Sequence, residues 1–116
     1  GGGLVSVLAI DAGTTGVKGG AHYSSAKAAL QMFTTVTAAE WGRYGINVNA
    51  LCPGYIDTEL NHSHWQTDAG KKLIDMLPRK RVGQPQDLDS VLMMLCAKES
   101  HFINGAVIQA DDGFGV

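Results

Sequence analysis

The sequence predicts an α/β chain built on a parallel sheet, and three observations carry that reading. Short apolar runs at residues 4–10, 46–52 and 106–110 are separated by two segments whose apolar residues recur at helical spacing. Clusters of Gly, Pro or Asp follow each run, as expected where strands hand over to loops. Strand, helix, strand, helix, strand is a βαβαβ series, which the right-handed crossover rule turns into a parallel sheet covered by helices.

Residues 4–10 (Leu-Val-Ser-Val-Leu-Ala-Ile) are almost continuously apolar, the pattern of a strand buried on both faces. Residues 11–21 carry Gly13, Gly16, Gly19 and Gly20 with Thr14 and Thr15, and read as a loop at that strand's carboxyl end. From Tyr23 to about Trp41 nothing breaks a helix, and Ala26, Leu30, Phe33, Val36 and Thr37 mark its expected buried side. Gly42 and Gly45 end it. Residues 46–52 alternate and then turn apolar, a second strand stopped by Pro53-Gly54. Residues 57–78 are polar and, Trp65 apart, poor in aromatics; they predict a mobile excursion over a site, with a helix from Thr67 or Asp68 to Leu77. Residues 85–98 predict another helix, with Pro85 in its first turn, Asp87 and Asp89 at its amino end, and Leu88, Val91, Leu92 and Leu95 as the buried stripe. After the third strand, Asp111-Asp112-Gly113 turns the chain.

A length of 116 residues suits one modest domain. With 45% hydrophobic and 17% charged residues the composition is globular, and a net charge of −2 with no basic cluster beyond Arg79-Lys80-Arg81 argues against nucleic acid or an anionic membrane as partner. No apolar run approaches the roughly 20 residues a bilayer requires, so the expectation is a soluble, cytoplasmic protein. Cys52 and Cys96 lack metal-type spacing and sit in apolar runs, which predicts buried free thiols. His62 and His64 offer two metal ligands without a third nearby, and are expected to face solvent or substrate. His22 reads as a loop residue and Asn49 as a structural amide.

The chemistry is concentrated in Tyr23 and Lys27, four residues apart and therefore on one helical face. A cation held beside a phenol favours phenolate, which suits Tyr23 to donate or accept a proton near neutral pH.

Taken together, Gly1-Gly2, Tyr23-Ser-Ser-Ala-Lys27, Tyr44-Gly-Ile-Asn-Val-Asn49, Pro53-Gly-Tyr-Ile-Asp-Thr58, Arg81-Val-Gly-Gln-Pro-Gln-Asp87 and Asn104-Gly-Ala-Val-Ile with Asp111-Asp-Gly113 resemble the short-chain dehydrogenase/reductase family. The resemblance covers essentially the whole chain and implies the carboxyl-terminal half of a Rossmann-like, doubly wound parallel sheet, residues 1–116 being a partial domain without the amino-terminal dinucleotide fingerprint. It implies hydride transfer between NAD or NADP and a small carbonyl or secondary alcohol, with Tyr23 as general acid or base and Lys27 on the nicotinamide ribose. Pro53 and Gly54 would line the cofactor, the Ile56 backbone would meet the carboxamide, and Thr58 would add its hydroxyl. Assembly as dimers or tetramers is implied too, through the Tyr helix and the last strand with its preceding helix; Ala26, Ala28, Ala29, Ala38 and Ala39 suit close packing between subunits.

Two departures from the family's pattern stand out. The Gly13–Gly20 cluster precedes the Tyr23 helix, and no acid closes a following strand about 20 residues on, so it reads as an ordinary loop and not as a phosphate cradle. At the family's catalytic serine this chain has Ala9, or Ile10 if the alignment is shifted by one, with Ser6 at the asparagine-like position; Thr14 or Thr15 is the remaining source of a hydroxyl. The alternative to an enzyme is thus a truncated or degenerate chain that keeps the fold and oligomer interface. A small-molecule binding module using residues 53–78 is a third reading.

Overall fold

The computed structural model describes residues 4–9 and 20–114, with side chains from residue 25 onwards. Three strands, β1 (Leu4–Ala9), β2 (Ile46–Pro53) and β3 (Val107–Ala110), form one parallel sheet in the order β1-β2-β3. Its register runs from Leu4↔Ile46 to Ala9↔Leu51 and from Ala50↔Val107 to Pro53↔Ala110. The helices are α1 (Gly20–Trp41), α2 (Asp68–Met76) and α3 (Asp89–Cys96), which gives the α/β alternation expected from the sequence.

Central strand β2 holds the core because it has a neighbour on each edge and α1 against it. Val48, Ala50, Leu51 and Cys52 are all buried, and Leu95 of α3 joins them. The backbone beyond the ladder is stitched by amide side chains. Asn49, 1% exposed, donates from Nδ2 to the Ile103 carbonyl (3.0 Å) and accepts at Oδ1 from the Ala106 N–H (2.9 Å). Asn104 accepts from the Val48 N–H (2.9 Å) and donates to the Ala38 carbonyl (3.1 Å), which ties α1 and the approach to β3 onto β2.

Several boundaries and faces differ from the sequence reading. Helix α1 begins at Gly20, so Gly20, Ala21 and His22 are helical and not part of a loop. Its buried side is Thr34, Thr37 and Ala38, whereas Phe33 and Val36 are exposed. Apolar residues lie most of the way round this helix, so spacing alone leaves the inward direction open. Two threonines can face the core because their hydroxyls donate back to the Leu30 and Phe33 carbonyls, each at 2.7 Å, and so bury no unpaired polar atom. Of the five alanines expected at a subunit contact, Ala38 is buried and Ala26 half-buried within this chain, while Ala28, Ala29 and Ala39 are exposed.

The helix expected over residues 85–98 is split into a 3₁₀ turn, Pro85–Leu88, followed by α3. Asp87 accepts from the Gln84 N–H at 2.7 Å and closes a capping box at that start. Cys52 is buried as expected, but Cys96 is exposed: Leu95 takes the inward position and the next residue turns outward. Residues 57–78 have a small core of their own. Trp65, in the 3₁₀ turn His62–Gln66, is 5% exposed, and a side chain on Gly70 would run into the His64 carbonyl and the Trp65 backbone. Thr67 caps α2 by accepting from the Gly70 N–H (3.1 Å), at the start the sequence marks. Among the described residues no helix is long and apolar enough to cross a membrane.

At the exit of β3, Asp112 has a left-handed backbone (φ 55°), which costs a residue with a Cβ more than it costs glycine. Its carboxylate is gripped by Arg81, with Nε at 2.8 Å and the second guanidinium nitrogen at 3.1 Å, and Arg79 stands 3.5 Å away. The Arg81 hydrogen bonds hold the Asp112 carboxyl below the usual carboxylate range. A depressed folded-state pKa stabilises the fold above the unfolded value and loses that contribution as pH falls through the folded one. The Tm gap between parent and Asp112→Asn should therefore be constant above about pH 4 and close below it, with Asn chosen because it tolerates a left-handed backbone. A gap that persists unchanged in acid would rule the ion pair out as its cause.

Candidate active site

The carboxyl ends of β1, β2 and β3 lie side by side through the Ala9↔Leu51 and Pro53↔Ala110 pairings, so the loops leaving them share one edge of the sheet. Open α/β sheets bind ligands in the crevice at such an edge. Helix α1 delivers Lys27 there. Burial pushes the Cys52 thiol up, the Lys27 ammonium opposes that shift and Asp111 reinforces it, which sets both charges within electrostatic reach of the β2 exit. A thiol raised in this way stays protonated at neutral pH and is a poor nucleophile.

Tyr23 lies one helical turn before Lys27 on α1; its side chain falls outside the described residues, as do Ile10, Thr14 and Thr15 and the side chains of Ser6 and Ala9. The backbone of Ala9 ends β1.

Pro53 closes β2, and the Gly54 N–H donates to the Ala110 carbonyl (3.1 Å). A Cβ on Gly54 would stand 2.8 Å from the Asp111 Cα, so only glycine lets the two strand exits approach this closely. Beyond it, Ile56 forms a parallel bridge with Gly83: Gly83 N–H donates to the Tyr55 carbonyl (2.7 Å) and Asp57 N–H to the Gly83 carbonyl (2.8 Å). Ile56's own N–H and carbonyl must then point away from Gly83. Asn61 takes the carbonyl, at 3.0 Å, and among the described residues nothing takes the N–H. Thr58 is half-buried, with its N–H donating to Asn61 Oδ1 at 2.7 Å.

A cavity of about 430 Å³ opens here, lined among others by Gly54, Ile56, Leu77, Gln84, Asp87 and Asp111. Tyr55 packs edge-on against both Trp65 (5.9 Å between centroids) and Phe114 (5.4 Å), an aromatic cluster joining the 57–78 segment to the β3 exit. The two histidines serve different partners: His62 Nδ1 lies 3.0 Å from both Asp57 carboxylate oxygens, and His64 packs on the edge of Trp65. Pro53, Gly54, Ile56 and Thr58 thus follow one another out of β2, and the Lys27 charge is close enough to weigh on the Cys52 thiol. Sequence reasoning missed Asn61 and quoted Gly83 only within a motif, without a role; both act through hydrogen bonds to loop backbone that leave no periodic trace.

A family model described as enoyl-(acyl carrier protein) reductase matches residues 1–115. The acetoacetyl-CoA reductase of Shinella zoogloeoides is 37% identical over 110 residues, covering 95% of this chain and 45% of the relative. The gluconate 5-dehydrogenase of Burkholderia cenocepacia, solved with NADP and tartrate, superposes with a TM-score of 0.77 at 30% identity, over 95% of this chain and 44% of that one. A mutant 4-hydroxyisoleucine dehydrogenase solved with NADH and succinate gives a TM-score of 0.78 at 29% identity, over 96% and 46%. A parallel sheet whose strand exits share one edge, with helices between the strands, is a Rossmann-type architecture. The chain belongs to the short-chain dehydrogenase/reductase family, and it spans less than half the length of the curated relatives it matches.

Proposed function

We propose that the polypeptide carrying this chain is an NAD- or NADP-dependent oxidoreductase acting on a small carbonyl or secondary alcohol, and that residues 1–116 are the carboxyl-terminal half of its catalytic domain. The observation that carries the proposal is the Ile56 N–H beyond the β2 exit, which has no partner among the described residues and borders the cavity there. That donor fits an amide carbonyl such as the nicotinamide carboxamide, with Pro53 and Gly54 beside it and the Thr58 hydroxyl close in sequence. The bound dinucleotide would supply or take up the hydride. Tyr23 gives its phenolic proton to the substrate oxygen in carbonyl reduction and recovers it in alcohol oxidation; Lys27 holds the ribose hydroxyls and favours the phenolate. Assembly as a homo-dimer or tetramer is supported by the outward apolar side of α1, where Met32 and Phe33 are 65% and 50% exposed.

Ala9 favours a second reading. It ends β1 without a hydroxyl where the family's pattern has serine, which suits a chain that keeps fold and interface without turnover. The deciding experiment is titration of the purified, encoded polypeptide with NADH and NADPH by calorimetry, followed by nicotinamide absorbance with a panel of small ketones. Binding with oxidation is expected; binding to neither dinucleotide would overturn the first reading and leave the second.

A further inference from the structure

We propose that Asn61 is a positioning residue for the loop that receives the nicotinamide, an inference that rests on the cofactor reading above. Three consecutive peptide groups, from Tyr55 to Thr58, are held from two sides. Gly83 takes the Tyr55 carbonyl at 2.7 Å and the Asp57 N–H at 2.8 Å. Asn61 takes two more: Nδ2 donates to the Ile56 carbonyl (3.0 Å) and Oδ1 accepts from the Thr58 N–H (2.7 Å). The opposite placement of the amide would set a donor against a donor and an acceptor against an acceptor, so the chemistry fixes its orientation.

The consequence follows from peptide planarity. In a trans peptide the carbonyl and the N–H point to opposite sides. Holding the Tyr55 carbonyl on Gly83 therefore aims the Ile56 N–H away from Gly83, and Asn61 clamps the next two groups so that this direction persists before any ligand arrives. The same residue starts the neighbouring segment. Its backbone N–H donates to the Thr58 carbonyl (3.2 Å), and its carbonyl accepts from the His64 N–H (2.9 Å) at the 3₁₀ turn that buries Trp65. Asn61 thus joins the donor loop to the 62–76 segment, and its loss leaves the Ile56 donor held from the Gly83 side alone and less firmly aimed.

The test uses the encoded polypeptide with NADH and NADPH as probes. Asn61→Ala should raise the Kd and KM of the dinucleotide by about tenfold, through two lost hydrogen bonds, while kcat at saturating cofactor stays within about threefold of the parent and its pH profile keeps its shape. Asn61→Asp keeps the acceptor for Thr58 and loses the donor to Ile56, so it should restore slow exchange of the Thr58 amide while cofactor binding stays weak. A role in folding alone would lower Tm and leave the Kd unchanged well below the transition. Parental affinity in Asn61→Ala, with the parent binding cofactor normally, would overturn the inference alone; a parent that binds neither dinucleotide would overturn the cofactor reading and this inference with it.

Discussion

Tyr23→Phe in the encoded polypeptide is expected to lower kcat by roughly 10²- to 10⁴-fold, the range a positioned proton donor supplies, while the dinucleotide Kd stays within about threefold of the parent. Only a hydroxyl is removed, so α1 and the residues at the β2 exit keep their places. Lys27 should behave differently. It is half-buried and its ammonium acts on the β2 exit, so Lys27→Ala should weaken cofactor binding and slow turnover together. The two variants separate the proton step from the binding step by their ratio of kcat to Kd effects. A Tyr23→Phe enzyme whose steady-state rate falls less than about threefold would remove Tyr23 from the mechanism and return attention to the loop threonines.

The sequence made the fold legible wherever hydrophobic pattern and turn chemistry agree. Each strand ends within one residue of its expected position in the described part of the chain, and the parallel order follows from the alternation with helices. Pattern failed where several faces look alike. On α1 Thr37 faces inward as expected, but Thr34 joins it while Phe33 and Val36 stay exposed, because both hydroxyls are satisfied by the helix itself, and no apolar count reveals that. At Cys96 an apolar run continues one residue past the last inward position, so the thiol is exposed. The candidate site divides in the same way. Its fixed landmarks, Lys27 and the Pro53-Gly54 strand end, stand out because residue type and spacing carry their chemistry. Asn61, Gly83 and the grip of Arg81 on Asp112 depend on which loops meet, a property of the folded chain alone.

Asn49→Ala should cost about 2–4 kcal/mol of stability, the largest structural effect expected from a single change near this site. Asn49 lies in the middle of the central strand, and both ends of its amide are used. Alanine strands the Ala106 N–H beside buried backbone and leaves a cavity where the amide packed. The Ile103 carbonyl is spared in part, because Asn47 Nδ2 also reaches it at 3.2 Å. The loss should spread along β3. Ala106 begins the approach to that strand, its carbonyl accepts from the Ala50 N–H at 2.8 Å, and the Ala110 carbonyl at the far end holds Gly54. Thermal melts of the encoded polypeptide should therefore show a Tm lower by roughly 5–15 °C for Asn49→Ala and by far less for Asn47→Ala, whose amide is closer to solvent. Below the new transition, amide exchange at Gly54 should quicken in the first variant and not in the second. Equal Tm losses for the two variants would show that the buried amide is not what anchors β3, and that the alignment of the Gly54 exit with Asp111 rests on the backbone ladder alone.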